Sequence, residues 1–233
     1  MSKLLIATDF DGTFIRNGKI DPADLEAIAA WRRAGRLFGF VTGRGTDFFD
    51  TAREYGVAAD YFLLYNGAML ALPDRTVCKE YLIPRSVFAR LEAHFRALPD
   101  VCWFNETSDA PFYHQYYATM ETPERALQVA EGVNRLFGDE VTAYVNGPHV
   151  NIGKKGSGKA QGVFDALAYF HLPRDAAAVF GDDFNDMEML RVHSGWAVAT
   201  ARPEGLAMAP HVCESVGKAA RELMMNDERL TIN

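Results

Sequence analysis

The sequence predicts an α/β protein whose parallel-sheet core carries a smaller, inserted α+β domain. Short apolar runs without helical periodicity alternate with amphipathic helices up to residue 72, and this order returns after residue 159. Such runs are typical of strands buried on both faces of a parallel sheet. Between them the order changes to strand, helix, strand, strand, helix, strand. We therefore expect a Rossmann-like core at 1–76 and 153–233, with the insert at 77–152.

The first half of the core opens with an apolar run, Lys3–Thr8, which predicts a buried strand. Asp21 before Pro22 is typical of a helix start, because Asp caps free N–H groups and Pro fits the first turn. Gly35 ends this helix. We expect the following elements to be a strand at 37–41, a helix at 46–55, a strand at 61–65, an Asn66-Gly67 turn and a strand at 68–72.

The insert and the second half of the core follow the same rules of periodicity and turn residues. In the insert we expect helices at 85–97 and 123–137 and strands that include 101–106 and 141–145. In the second half of the core we expect a helix at 159–170, a strand at 176–180, a helix at 185–192, a strand at 196–199 and a helix at 216–225.

The composition argues against several classes of protein. Acidic residues outnumber basic ones 31 to 24, and this net charge of −7 offers no field that attracts nucleic acid or an anionic membrane. Cys78, Cys102 and Cys213 are isolated, which argues against a disulfide framework or a zinc site and favours a reducing compartment. The apolar run before Asp9 is too short for a signal peptide. We expect a cytoplasmic protein with neither nucleic acid nor membrane as partner.

Two carboxylates follow the first strand in the segment Asp9-Phe10-Asp11-Gly12-Thr13. Ligands of open α/β sheets bind beyond the carboxyl ends of the strands, so this loop lies where a site is expected. Side chains two residues apart in such a loop can reach one pocket. There one carboxylate can attack as a nucleophile while the other transfers protons.

A second acidic group follows the strand at 176–180, in the segment Gly181–Asp186. Asp182 and Asp186 are four residues apart at a junction between strand and helix. Combined with the first loop, their oxygens form a hard ligand set that suits Mg²⁺. The alternative is an ordinary helix start, where the helix dipole favours acidic residues.

Two further segments carry weaker signals for phosphate binding. Thr42 and Gly43 end the second strand, where a hydroxyl and a closely approaching N–H can meet an anion. The segment Gly153–Lys159 nearly matches the nucleotide-binding pattern GxxxxGK[ST], but Ala160 replaces the hydroxyl residue that would bind Mg²⁺. We therefore interpret Lys159 as a phosphate partner in the same pocket as the carboxylates.

Taken in order, DFDGT, VTGR, a lysine after a glycine-rich segment and GDDFND resemble the motifs of the haloacid dehalogenase superfamily of phosphatases. Within it the chain is similar to the Cof-like branch, with a compact cap like that of sucrose-phosphate phosphatases. The resemblance implies a Rossmann-like core, an inserted α+β cap and Mg²⁺ as cofactor. It also implies hydrolysis of small phosphorylated metabolites, sugar phosphates above all, through an aspartyl-phosphate.

The resemblance further implies a catalytic role for both residues of the first acidic pair. Asp9 is expected to be the nucleophile, and Asp11 the acid that protonates the leaving oxygen and then activates water. Asp9, the backbone carbonyl of Asp11 and the Asp182 carboxylate are expected to hold Mg²⁺. The second acid also favours phosphate chemistry over dehalogenation, because a halide leaves without a proton.

Most of the remaining site residues are likewise implied by the resemblance. Asp186 is expected to orient Lys159 or a metal-bound water. Arg44 and Asn66 are candidates for substrate contacts on another ground, because they end or follow core strands. The alternative for Arg44 is a structural salt bridge with a nearby acid. The residues expected to bind the phosphoryl group are Phe10, Thr42, Gly43, Lys159 and Asn185.

The insert offers aromatic and polar candidates for contacts to a sugar, although aromatic residues in a small α+β layer more often fill its core. These candidates are His114, Tyr116, Tyr117, Asn146 and His149. Two other functions stay open: a phosphomutase acting on sugar phosphates, and a non-catalytic binding protein on the same scaffold. Every catalytic position is filled, which counts against the second alternative.

Overall fold

The computed structural model describes residues 2–201 and 203–231, and the chain divides into two compact units. The first unit comprises Met1–Lys79 and Lys159–Asn233, and the second comprises Glu80–Gly158. Each unit has a buried apolar cluster of its own. Except for its first three residues, the predicted insert at 77–152 falls within the second unit.

The α/β architecture predicted from the sequence is confirmed. The elements, in chain order, are β1 (Leu5–Thr8), α1 (Pro22–Arg33), β2 (Leu37–Val41), α2 (Phe48–Glu54), β3 (Tyr61–Leu64), β4 (Met69–Ala71), β5 (Val77–Glu80), β6 (Ile83–Pro84), α3 (Arg85–Arg96), β7 (Val101–Phe104), β8 (Phe112–Tyr113), β9 (Gln115–Met120), α4 (Pro123–Phe137), β10 (Val141–Asn146), β11 (His149–Lys154), α5 (Lys159–Tyr169), β12 (Ala177–Gly181), a 3-10 turn (Phe184–Asp186), α6 (Met187–Val192), β13 (Trp196–Val198), α7 (Pro203–Met208), β14 (His211–Cys213) and α8 (Val216–Thr231). Among the described residues, no helix has the length and apolar character that crossing a bilayer requires.

The sheet of the first unit places β1 between β2 and β12. Its strand order is β14-β13-β12-β1-β2-β3-β4-β5. Leu5 is paired in parallel with Leu37 on one side and with Ala177 on the other, and all of β1 is buried. Because these three strands run in the same direction, their carboxyl ends meet at one edge of the sheet. The loops after β1, β2 and β12 are therefore neighbours.

Helix α1 forms as its sequence predicts. The side chain of Asp21 accepts a hydrogen bond from the N–H of Ala23, at 2.9 Å, and Pro22 occupies the first turn. Trp31 is fully buried on the inner face, and its Nε1 donates to the carbonyl of Leu37 at 2.9 Å. This bond links the end of the helix to the start of β2.

The observed hairpin is looser than the predicted two-residue turn. Strand β3 ends at Leu64 and β4 begins at Met69, so four residues form the connection. Tyr65, Asn66 and Gly67 have φ values of 53°, 55° and 84°, which are incompatible with continuing the strand. The left-handed conformation begins one residue earlier than the Asn-Gly pair indicated.

The second half of the core contains two elements that the sequence did not predict, α7 and β14. Both are short, at six and three residues, so hydrophobic periodicity has too few repeats to reveal them. The helix predicted at 185–192 also begins differently. It starts as a 3-10 turn, and Asp183 caps that turn with its side chain.

The second unit packs two helices against an antiparallel sheet of order β10-β11-β9-β7. Burial alternates strictly along β9, as expected for a sheet that is covered on one face. Tyr116, Ala118 and Met120 are buried, with Tyr116 at 0% exposure, whereas Tyr117 and Thr119 lie on the other face. The two neighbouring tyrosines therefore have different environments.

We predict opposite effects for the same substitution at two glycines. A Cβ at Gly39 would lie 2.5 Å from the ring of Tyr61, which is fully buried and bonded through its hydroxyl to the carbonyl of Ile6. Gly39→Ala should cost about 1–3 kcal/mol of stability through overpacking. Gly132→Ala in α4 meets open space and should stabilise the second unit by ~0.8–1 kcal/mol through helix propensity. Urea unfolding followed by circular dichroism measures both; equal effects would contradict the packing argument.

We also predict that His193 makes the stability of the first unit depend on pH. Its Nε2 lies 3.0 Å from the carbonyl of Ala160, and burial lowers its pKa from 6.5. Because the unfolded chain takes up a proton first, stability should decrease as pH falls below about 6.5 and stay constant above it. His193→Gln should flatten this slope relative to the wild type.

Exposed His171 supplies the matched control for this measurement. The variant His171→Gln should keep the wild-type dependence of unfolding free energy on pH. The same slope in His193→Gln and in the wild type, measured by urea unfolding between pH 5 and 8, would refute the role of His193.

Candidate active site

The site lies where the loops after β1, β2 and β12 meet. The N–H of Asp9 donates to the carbonyl of Phe180 in β12 at 2.9 Å, which ties the first loop to that strand. On the other side, the N–H of Thr42 donates to the carbonyl of Leu63 at 2.9 Å. Backbone pairing thus brings the predicted residues of three distant segments to one edge of the sheet.

A buried lysine holds two of these carboxylates. Lys159 is the first residue of α5, and its Nζ lies 2.7 Å from Oδ1 of Asp9 and 2.6 Å from Oδ1 of Asp186. All three residues are buried, with Asp186 at 0% exposure. The predicted contact between Lys159 and Asp186 is therefore present, and the ammonium bridges the two acidic loops.

The ionisation of the site reflects burial and crowding of like charges. Burial alone would lower the pKa of Lys159, but the carboxylates of Asp186 and Asp9 outweigh it and raise that pKa. Burial raises the pKa of Asp9, and Lys159 opposes this shift. For Asp182, burial raises the pKa to about 6; a hydrogen bond from Thr13 opposes the shift and the charge of Asp186 adds to it.

The carboxylates form an oxygen ligand set that fits a divalent cation. Asp9, Asp182 and Asp186 each place one oxygen within 4.8 Å of the others. These three carboxylates share one ammonium, Lys159, so negative charge is in excess in a buried place, which a hard cation would balance. In the described part of the chain, Oδ2 of Asp9 and Oδ2 of Asp182 have no hydrogen-bond partner.

Asp186 differs from the other two carboxylates because both of its oxygens are committed. Lys159 binds Oδ1, while the N–H groups of Asp182 and Asp183 donate to Oδ2 at 3.1 and 3.3 Å. These bonds favour an orienting role for Asp186, as the sequence predicts. Asp9 and Asp182 are the residues that could hold a metal ion.

Thr13 and Gly12, in the first loop, hold the carboxylate of Asp182 in place. The sequence alone did not indicate a role for either residue. The hydroxyl of Thr13 donates to Oδ1 of Asp182 at 2.6 Å. Gly12 has a φ of +87°, and a Cβ on it would lie 2.2 Å from Oδ2 of the same carboxylate. Only glycine permits this approach. The signal for both residues is their place in the DFDGT segment, directly beside the predicted carboxylates.

The side chain of Asp11 pairs with Arg44. Nε and Nη2 of Arg44 donate to its two oxygens at 2.7 and 2.6 Å. The pair is accessible, with side chains 54% exposed for Asp11 and 40% for Arg44. The Arg44 guanidinium also lies 5.6 Å from the ring centroid of Phe10. Asp11 is thus close to the cluster in sequence, but its side chain makes a separate, exchangeable contact.

The candidates for phosphate binding lie at the same strand ends. The hydroxyl of Thr42 accepts a hydrogen bond from the N–H of Arg44 at 3.2 Å. A Cβ on Gly43 would be 3.3 Å from the amide of Asn66, and Asn185 Nδ2 donates to Oδ1 of Asn66 at 3.3 Å. Thr42, Gly43, Asn66 and Asn185 are therefore close neighbours.

Phe10 can offer the site its backbone N–H but not its buried side chain. The ring is buried among aromatic neighbours, 4.9 Å from the ring of Phe48 and 5.5 Å from that of Phe40. In the part of the chain that the structure describes, the N–H groups of Phe10 and Gly43 donate to no protein acceptor. Both are available for an anion.

The glycine-rich segment before α5 does not have the geometry of a nucleotide-binding loop. Gly153 and Lys154 belong to β11, so the loop consists of residues 155–158 only. Lys159, which would contact the nucleotide phosphates, is engaged by Asp9 and Asp186. The segment serves instead to place Lys159 at the start of α5.

The sugar-contact candidates of the second unit separate into core and surface. Tyr116 packs in the core, 5.2 Å from the ring of Phe95. His114 lies at 3.0 Å from the carboxylate of Glu80, and Asn146 is partly buried at the end of β10. The expectation that aromatic residues fill the core therefore holds for Tyr116.

The remaining candidates form a row of rings on the open face of the second unit's sheet. The rings of Tyr117 and His149 stack at 5.2 Å. Trp103, which the sequence analysis did not single out, lies 5.8 Å from Tyr117 and is 53% exposed. Its position on β7, beside β9, is evident only once the strands are paired.

Solved structures share this architecture. A haloacid dehalogenase-like hydrolase from B. subtilis has a TM-score of 0.82 at 15% identity, over 94% of this chain and 99% of that chain. The phosphatase BT1666 from Bacteroides thetaiotaomicron has a TM-score of 0.80 at 18% identity, over 95% of each chain. The subclass IIB sugar phosphatase BT4131 has a TM-score of 0.78 at 19% identity, over 95% of this chain and 98% of that chain. These likenesses show a common fold.

The sequence comparisons agree with this fold. No curated protein matches the chain significantly. The model of a family described as haloacid dehalogenase-like hydrolase matches residues 6–116 and 89–220, which together include every residue of the site. The chain therefore belongs to the haloacid dehalogenase-like hydrolases, as the order of its motifs predicted.

Proposed function

We propose that this chain is a Mg²⁺-dependent phosphatase of small phosphorylated metabolites, with sugar phosphates as its main substrates. The observation that carries the proposal is the buried carboxylate of Asp9, held by Lys159 at the carboxyl end of β1. The proposed anion-binding groups lie at the same strand ends, and Asp11, the proposed proton-transfer group, follows two residues after Asp9 in the same loop. The sugar phosphatase among the structural neighbours supports the substrate class.

In the first half of the proposed reaction, the Asp9 carboxylate attacks phosphorus and the bond to the leaving oxygen breaks. Asp11 first exchanges Arg44 for the substrate and takes up a proton from solvent, and it then gives that proton to the leaving oxygen. The exchange is inexpensive because an exposed ion pair contributes only about 0–1 kcal/mol. The product is an aspartyl-phosphate on Asp9.

In the second half, Asp11 accepts a proton from water, and the resulting hydroxide attacks phosphorus and releases Asp9. Lys159, the Thr42 hydroxyl, the Asn185 amide and the N–H groups of Phe10 and Gly43 would bind the phosphoryl oxygens. Asp186 orients Lys159 in both halves. A Mg²⁺ held by Asp9, the Asp11 carbonyl and Asp182 would neutralise charge between the phosphate and the attacking carboxylate.

We assign the choice of leaving group to the insert predicted at 77–152. The exposed ring of Trp103 and the partly buried rings of Tyr117 and His149, with polar Thr119 beside them, support this assignment. Aromatic rings flanked by hydrogen-bonding groups suit the faces and hydroxyls of a small polar metabolite. A low-molecular-weight substrate is therefore the partner that we expect.

The first test is phosphate release from a panel of sugar phosphates, nucleotides and an aryl phosphate, with and without Mg²⁺. We expect release that requires Mg²⁺ and falls by at least about 10³-fold in Asp9→Asn, because an amide cannot form the covalent intermediate. Exposed Asp139→Asn should retain wild-type rates. Transfer from a sugar bisphosphate that is faster than release to water would indicate a mutase instead, and no turnover of any kind by the folded wild type would refute the proposal.

We further predict that Lys159 is essential to stability as well as to activity. Lys159→Met should cost about 3–5 kcal/mol in the metal-free protein, because it leaves Asp9 and Asp186 buried without a cation. Lys218→Met removes the partner of Glu214 from an ion pair whose side chains are 53% and 73% exposed, and should cost far less stability than Lys159→Met. Urea unfolding of both variants compares them; equal losses would contradict the argument from burial.

A further inference from the structure

Asp24, on the inner side of α1, is a buried carboxylate with no part in the proposed reaction. It is 1% exposed, and its Oδ1 accepts hydrogen bonds from the Ser215 hydroxyl at 2.5 Å and from the Gly217 N–H at 3.1 Å. A Cβ on Gly217 would lie 2.5 Å from the same oxygen. The carboxylate is thus held against the start of α8, where it has little freedom to move.

The second oxygen of Asp24 fixes an arginine that follows the catalytic loop. Oδ2 lies 3.1 Å from Nη2 of Arg16, whose side chain is only 20% exposed. The backbone of Arg16 is also constrained, because its N–H and carbonyl both pair with Lys19. A planar guanidinium held at its base and at one nitrogen presents its other nitrogen in a defined direction.

That other nitrogen points to Thr13. Nη1 of Arg16 donates to the carbonyl of Thr13 at 3.3 Å, while the hydroxyl of the same Thr13 donates to Oδ1 of Asp182 at 2.6 Å. Thr13 is completely buried. A hydrogen-bonded connection therefore runs from the start of α8 through Asp24, Arg16 and Thr13 to the carboxylate that we expect to bind Mg²⁺.

We propose that Arg16 and Asp24 are positioning residues that orient the Asp182 carboxylate for the metal. The proposal rests on the function proposed above, since it assumes that Asp182 is a ligand. Holding the carbonyl of Thr13 restrains the backbone from which its hydroxyl reaches Oδ1 of Asp182, and Gly12 lies against Oδ2 of the same carboxylate. Groups outside the ligand shell commonly change metal affinity by about 10–100-fold.

The test measures metal binding directly, with the full-length protein and Mn²⁺ as the probe. Free Mn²⁺ is counted by electron paramagnetic resonance, with Mg²⁺ added as competitor. We expect Arg16→Gln to weaken Mn²⁺ binding about tenfold, the lower end of that range, because Arg16 acts through Thr13. The unfolding midpoint without metal is recorded for every variant.

Arg32→Gln is the matched control. Arg32 also forms an ion pair within the first unit, with Asp60 at 2.6 Å, but none of its hydrogen bonds reaches Thr13. A merely structural role for Arg16 predicts that both variants lose stability and that neither changes the Kd for Mn²⁺. If Arg16 positions Asp182, only Arg16→Gln changes the Kd for Mn²⁺.

Two further variants keep the test decisive. Asp24→Asn preserves shape but not charge, and should weaken Mn²⁺ binding in the same direction even where Arg16→Gln fails to fold. Thr13→Val removes the hydroxyl that donates to Asp182, and it should weaken Mn²⁺ binding at least as much as Asp24→Asn does. Wild-type affinity in folded Asp24→Asn, with weaker binding in Thr13→Val, would overturn the proposal. A wild type that binds Mn²⁺ but releases no phosphate would overturn the proposed function alone.

Discussion

One buried ammonium group connects the elements on which the site depends. Lys159 is 150 residues from Asp9 and 27 residues from Asp186 in sequence, yet its Nζ contacts both carboxylates. A buried charge without a partner costs several kcal/mol, so none of the three groups can be buried favourably without the others. The strand that carries Asp9, the turn that carries Asp186 and the helix that carries Lys159 are therefore stabilised together.

Close backbone approach is the second constraint on this arrangement. A Cβ on Gly181 would lie 2.4 Å from Cβ of Asp186, and a Cβ on Gly12 would overlap the carboxylate of Asp182. The acidic side chains come this near to one another because Gly12, in the first loop, and Gly181, the last residue of β12, lack side chains at the points of contact. Burial of Asp9, Asp186 and Lys159 strengthens the charge interactions among these three groups.

The carboxylates divide into an inner, fixed group and an outer, exchangeable one. Asp186 is saturated by Lys159 and two backbone N–H groups, whereas Asp9 and Asp182 each keep an oxygen without a protein partner in the described chain. Asp11 lies in an exposed pair with Arg44. In the proposed reaction, the nucleophile Asp9 is buried, whereas Asp11, the group proposed to meet different leaving oxygens, is accessible. This division is what a hydrolase of phosphate esters requires.

The positions of most site residues could be predicted from the sequence, because the end of a buried strand is visible locally as the end of an apolar run. Apolar runs located β1, β2 and β12, and the residues just beyond them, Asp9, Thr42 and Asp182, had to share one sheet edge once the strands were parallel. The short elements α7 and β14 escaped because they are too brief to show periodicity.

Only the tertiary structure decided which partner each polar group takes. Arg44 pairs with Asp11 over 33 residues of sequence, and the hydroxyl of Thr13 donates to Asp182 over 169 residues. The hydroxyl of Ser215 donates to Asp24 over 191 residues. Hydrogen bonds over such separations depend on how helices and strands pack. Local composition and periodicity therefore determine the fold class and the types of group at the site, whereas packing determines their contacts.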